Sequence, residues 1–216
     1  MFFNAPLTLM EFTMNEKVPL AEIFRLVFTI LSERDDITVY GSQALNVYVE
    51  PPRMTEDIDI FSLDAADLAE TLREAINRTF HIAIRIRRSA DGKGLRLYQT
   101  SKESRRHLID VRPTSELPPT VRMNGIAVVI PAVLAAMKAI ASVERHDLLA
   151  REQDVLDLRR LLVAIPDLRT DPDVEEHLRN FGASPAALAR WTELRMAHST
   201  VRANGTSRGT LEYRRR

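Results

Sequence analysis

A chain of 216 residues holds one core domain with a small helical extension and is too short for two large domains. Its 30 Lys and Arg balance 30 Asp and Glu, so total charge does not mark a nucleic-acid binder, although a local basic patch fits within a neutral total. The lack of cysteine excludes disulfides and thiolate zinc sites and predicts a cytoplasmic location. With no long apolar run and no basic segment ahead of the apolar N-terminal residues, neither a membrane span nor a signal peptide is expected.

Residues 1 to 17 read as a loose lead-in. From Pro19 to Arg34, Leu20, Ile23, Phe24, Val27, Phe28 and Leu31 recur at helical spacing. The run Ile37 to Tyr40 is a short strand, Gly41-Ser42 turns the chain, and a helix spans Gln43 to Val49 until Pro51-Pro52 stops it. Asp57 to Phe61 alternates acid and apolar residues as a half-buried strand does, and a helix covers Ala65 to Arg78. Strands are predicted over His81 to Arg88 and Leu95 to Thr100, joined by a hairpin at Asp91 to Gly94, then over His107 to Pro113 and Ile126 to Ile130. Beyond Pro131 the pattern becomes helical, over Ala132 to Glu144, Arg151 to Ala164, Pro172 to Asn180 and Pro185 to Ala197. The expected plan is an α/β (α+β) mixed sheet flanked by helices over 18–131, a helical region over 132–198, and a mobile Arg-rich tail over 199–216.

Asp57 and Asp59 stand two apart in a strand, so both carboxylates project from one face while Ile58 and Ile60 point to the core. Paired acids are costly without a cation, and hard oxygen donors suit Mg²⁺ or Mn²⁺. The same pattern also occurs as a plain solvated strand end. Gly41 permits close backbone approach, and with Ser42 it opens a helix whose free N–H groups could receive the terminal phosphates of a nucleoside triphosphate. Read alone, the pair is an ordinary capped turn. Alternation in His107 to Pro113 places Leu108, Asp110 and Arg112 on one face, with Asp110 as a carboxylate on the exposed side of a strand able to pair beside the first acids. A third acid there could bind a second metal or help deprotonate a hydroxyl. The five histidines are scattered and read as structural or surface residues. Arg85 and Arg87 share one strand face, either solvated or facing RNA phosphates, and Trp191 reads as core.

Together, G-S-x-A-L at Gly41 to Leu45, R-x-T-x-D-I-D-I at Arg53 to Ile60 and the later I-D-V at Ile109 to Val111 resemble the DNA polymerase beta-type nucleotidyltransferase superfamily. Within it, the chain is most similar to AbiEii-type nucleotidyltransferases, which include toxins of toxin–antitoxin and phage-exclusion systems. The resemblance implies a nucleotidyltransferase fold and a Mg²⁺- or Mn²⁺-dependent enzyme, with Asp57, Asp59 and Asp110 as catalytic metal ligands. Gly41, Ser42, Arg53, Lys138 and Asp154 would form the nucleotide site. Lys138 would contact phosphates, and Asp154 would support the nucleotide or Lys138. Gln153 departs from the lysine that the family often carries before that aspartate. The implied partners are an NTP, an RNA (such as tRNA) or protein acceptor, and an antitoxin. A nucleotide-binding protein without turnover and a small-molecule (antibiotic) nucleotidyltransferase are the alternatives.

Overall fold

Ile23, Phe24, Val27 and Leu31 are buried along one stripe of helix α1 (Leu20–Ser32), as their spacing predicts, in the computed structural model of the protein. The structure describes residues 20–100 and 105–197. The lead-in, the Arg-rich tail and His198 lie outside the described residues.

Strand β1 (Ile37–Tyr40) runs directly into α2 (Gly41–Tyr48), which therefore begins at the Gly-Ser pair itself. Strand β2 (Ile58–Ser62) follows, buried at alternate positions. Helix α3 (Ala65–Phe80) starts where the Asp64 carboxylate accepts from the Asp67 N–H, and ends at His81, whose backbone is left-handed (φ 53°). That terminal turn delays β3 to Ile84–Arg88, three residues later than the alternation predicts. Next come β4 (Leu95–Thr100), β5 (Arg105–Pro113), β6 (Thr120–Met123) and β7 (Ile126–Val129). Strand β6 was not expected. It is a four-residue strand at the sheet edge, joined to β7 by Asn124-Gly125 with φ of 51° and 83°, the pair of left-handed residues that a tight hairpin requires.

The strands form one sheet in the order β3-β4-β5-β2-β1-β7-β6. Neighbours β2 and β5, and β1 and β7, run parallel, and the other pairs are antiparallel, so the sheet is mixed as expected. The β4–β5 ladder shifts register between Leu97 and Tyr98: Leu97 pairs with Ile109, but Tyr98 pairs with His107, which leaves Leu108 as an extra residue.

Pro131 opens α4 (Pro131–Glu144), where its missing N–H costs no helical bond. Residues 131 to 136 of α4 are all buried. Helix α5 (Leu148–Ala164) packs on α4 and starts three residues ahead of the predicted position, because the Asp147 carboxylate caps the Ala150 N–H at 3.1 Å. A short 3₁₀ turn (Pro166–Arg169), α6 (Pro172–Asn180) and α7 (Pro185–Met196) complete the described chain. Trp191 is buried, as predicted, in a hydrophobic cluster that reaches without interruption from Ile23 to Leu194. Among the described residues no helix is long and apolar enough to cross a membrane.

Candidate active site

Ile58 and Ile60 are fully buried beneath β2, so the residues between and before them face the other side. There Asp59 lies in direct register with Asp110 of the parallel strand β5. The predicted pairing of these strands is present, but Asp110 is not on an exposed side. It is 4% exposed, because β5 runs inside the sheet between β4 and β2 and the Arg96 side chain lies against it. Arg96, its cross-strand neighbour on β4, donates from Nε to Asp110 Oδ2 at 3.0 Å. The other oxygen, Asp110 Oδ1, is buried with no hydrogen-bond partner. Burial, reinforced by the negative charges of Asp57 and Asp110, pushes the Asp59 carboxyl up to about 7. Asp59 thus carries a disfavoured charge beside Asp110, which has one oxygen on Arg96 and the other unpartnered.

Asp57 stands just ahead of β2 and has a histidine partner of its own. His107 Nδ1 lies 3.3 Å from Asp57 Oδ2, while His107 Nε2 lies 3.1 Å from the Ile109 carbonyl oxygen. Both neighbours are acceptors, so this geometry favours the doubly protonated ring over the neutral one. Burial works against that charge, but the bond to Asp57 and its negative charge outweigh it, and the His107 pKa is raised. The same bond holds the Asp57 carboxyl below the usual carboxylate range. Sequence reasoning missed His107. In an unbroken ladder it would point away from Asp110, three residues on, and the register shift at Leu108 turns it to the site face beside Tyr98.

The Gly-Ser turn adjoins these acids. Gly41 has φ +68°, and a Cβ placed on it would lie 1.9 Å from Asp59 Oδ2, so the Asp59 carboxylate occupies the space that a side chain would take. Helix α2 begins with Tyr40 as N-cap and no side-chain cap, which leaves its first N–H groups uncapped by side chains on the side of Asp59. The Ser42 hydroxyl accepts from Arg53 Nη2, and its own proton remains available to donate. Gln43, one residue on, donates to the Thr55 hydroxyl and ties the helix to the segment ahead of the acids.

Arg53 leads to the helical region. Its Nη2 donates to Asp157 Oδ2 at 3.2 Å, and Lys138 Nζ is 2.7 Å from both Asp157 Oδ2 and Asp154 Oδ1. Gln153 adds a bond to Asp157 Oδ1 at 2.8 Å, and Arg145 Nε lies 3.1 Å from Asp154 Oδ2. Burial alone would raise the Asp157 pKa, but the Lys138 charge and these donors hold it below the usual range. Lys138 is 5% exposed, so in this state it clamps α4 to α5 instead of facing open solvent. Asp154 supports Lys138, as the resemblance allowed, and Asp157 takes an equal share that the sequence did not single out. Asp154 does not pair with Arg151, which donates to the Ser142 carbonyl.

Among the described residues, no three His, Asp or Glu side chains are arranged to hold a metal ion between them. Asp57 is turned to His107 and Asp110 to Arg96. The donor chemistry nevertheless fits Mg²⁺ or Mn²⁺, which bind through one or two carboxylates, retained waters and substrate phosphates. Asp59 and the unpaired Asp110 Oδ1 supply that minimum.

A family model described as nucleotidyl transferase AbiEii toxin, type IV toxin–antitoxin system, matches residues 25–208. No curated protein matches the chain in sequence. Among solved structures, the Megavirus polyadenylate synthase is similar with a TM-score of 0.54 at 12% identity, covering 68% of this chain and 32% of that one. The chain thus spans about a third of that synthase's length. JHP933 from Helicobacter pylori matches with a TM-score of 0.50 at 14% identity, over 84% of this chain and 90% of that one. ANT(2")-Ia, solved with adenylyl-2"-tobramycin, matches with a TM-score of 0.51 at 10% identity, over 74% of this chain and 99% of that one. At these identities the likeness is one of fold.

Proposed function

Because the chain belongs to the AbiEii nucleotidyltransferase family of type IV toxin–antitoxin systems, we propose that it transfers a nucleoside monophosphate from an NTP to an acceptor, with divalent-metal help. The observation that carries this reading is the Asp59–Asp110 pair, in register on parallel strands, with one carboxyl pushed up to about 7 and one buried oxygen unpartnered. A Mg²⁺ ion bound there would supply charge neutralisation for the α-phosphate and its leaving group. The acceptor hydroxyl gives up its proton to solvent as its oxygen bonds to the α-phosphorus, the bond to the β-phosphate breaks, and pyrophosphate leaves. Gly41 and Ser42 present N–H and hydroxyl donors to the departing phosphates, and Arg53 fixes the Ser42 hydroxyl. Lys138, through Asp157 and Arg53, holds the first turn of α2 in place. An antitoxin that restrains this activity is the partner implied by the family.

The acceptor side of the site favours RNA. Register places Arg87, Arg96, Asp110 and Asp59 in one row across β3, β4, β5 and β2, and Arg85 pairs with Tyr98 in the adjoining row. Arg85 and Arg87 are exposed. Exposed guanidinium groups beside an aromatic ring suit phosphates and a stacked base, and they repel a polycationic antibiotic.

The test is incubation of the protein with each labelled NTP and Mg²⁺ against total RNA and cell extract. Transfer to RNA is expected in the wild type and absent from the Asp57→Ala, Asp59→Ala double variant. Equal transfer by that variant would sink the assignment. NTP binding by calorimetry with no transfer to any acceptor would instead favour a sensor without turnover.

A further inference from the structure

Helix α5 turns Asp154 and Asp157 inward and carries exposed apolar residues along its outer side. Leu149 is 83% exposed, Leu156 51% and Val163 44%. They stand seven residues apart, two helical turns each time, and so form one stripe along a 17-residue helix. Leu148, at 70%, flanks its start. Glu152 and Arg159 lie on the same stripe between these residues, both exposed, and neither is ion-paired to a described residue.

The stripe is self-complementary about Leu156. A second copy laid antiparallel across it, on a two-fold axis at Leu156, sets Leu149 against Val163 and brings Glu152 within one residue's rise of Arg159. Each contact occurs twice, as an isologous interface demands. A parallel arrangement would instead oppose Glu152 to Glu152 and Arg159 to Arg159. The geometry points to a homodimer in which α5 pairs antiparallel with α5 of a second copy of this chain. The charge pattern selects that occupant, since an unrelated protein would have no need of a stripe that matches its own reverse. The dimer would leave the site face free, because the Lys138 clamp lies on the opposite side of the same helix.

The chain has no cysteine, so engineered thiols report without interference. In the full-length protein, Leu156→Cys should form a disulfide-linked dimer under mild oxidation. Leu149→Cys and Val163→Cys should each fail to cross-link alone, since like residues would be about 21 Å apart along antiparallel helices. The two mixed together should cross-link. By light scattering after gel filtration, the wild type should be dimeric at high micromolar concentration. Leu156→Glu, checked for folding by circular dichroism, should weaken dimerisation at least about tenfold. Glu152→Arg should do the same, and adding Arg159→Glu should restore the dimer. A monomeric wild type, a dimer indifferent to Leu156→Glu, or self-cross-linking of Leu149→Cys would each overturn the proposal. The first of these would leave the stripe to a different protein.

Discussion

Asp59→Asn should make the metal-free protein more stable. The carboxyl rises from 3.8 to about 7 on folding, which at about 1.4 kcal/mol per pH unit amounts to about 4 kcal/mol against the carboxylate form. Asp59 keeps some contact with solvent, which screens its neighbours and reduces the expected gain to about 2–3 kcal/mol. The sign follows from linkage. The folded state holds this proton more tightly than the unfolded chain, so the destabilisation is complete above about pH 7 and fades as pH falls toward about 4. Urea unfolding followed by circular dichroism in chelator, at about pH 8 and about pH 5.5, is the measurement. The wild-type midpoint should rise on acidification, and Asp59→Asn should have the higher midpoint at about pH 8 and lose much of its advantage at the lower pH. Mg²⁺ should raise the wild-type midpoint and leave the variant's unchanged. A variant less stable than wild type at about pH 8 would refute the argument that burial and the neighbouring carboxylates disfavour the Asp59 charge.

Three further outcomes follow from the same geometry. Gly41→Ala should lose transfer activity and about 1–3 kcal/mol of stability, because a Cβ there meets Asp59 Oδ2 and the backbone stays left-handed; unchanged activity would show that Asp59 can move aside at no cost. Lys138→Met should cost about 3–5 kcal/mol in urea unfolding, because Asp154 and Asp157 lose their shared buried cation; an unchanged midpoint would mean that water enters the clamp. Arg85→Glu with Arg87→Glu should raise the KM for an RNA acceptor and flatten its salt dependence by about two charges, while the KM for NTP stays put. A change confined to the NTP would place these arginines at the nucleotide instead.

The sheet and the acids were legible because their signals are local. Asp57, Ile58, Asp59 and Ile60 alternate within a single strand, and the Gly-Ser turn sits between a short apolar strand and a helical stripe. The remaining features depend on pairings that no local pattern encodes. Asp110 alternates like an edge residue, and only the strand order shows that it lies between two neighbours. Arg53 and Asp157 are 104 residues apart in sequence, so their bond is a property of the packed helices alone. Thr120 to Met123 is short and half polar, and its best signal was the Asn124-Gly125 pair beyond it. Asp147 would have placed the start of α5 correctly as a capping residue ahead of an apolar pair.

The extra residue at Leu108 bears on how such sites diversify. A strand offers alternate positions to each face, so His107 and Asp110, three apart, can share a face only because one residue between them is skipped. Without Leu108 the same two side chains would meet the same face at a spacing of two. Relatives that carry a histidine two residues before the aspartate should therefore have a straight strand here, and those with a spacing of three should keep the kink. A single inserted or deleted codon, with no change to any acidic residue, would then decide whether the first aspartate is born with its own counter-ion or is left open.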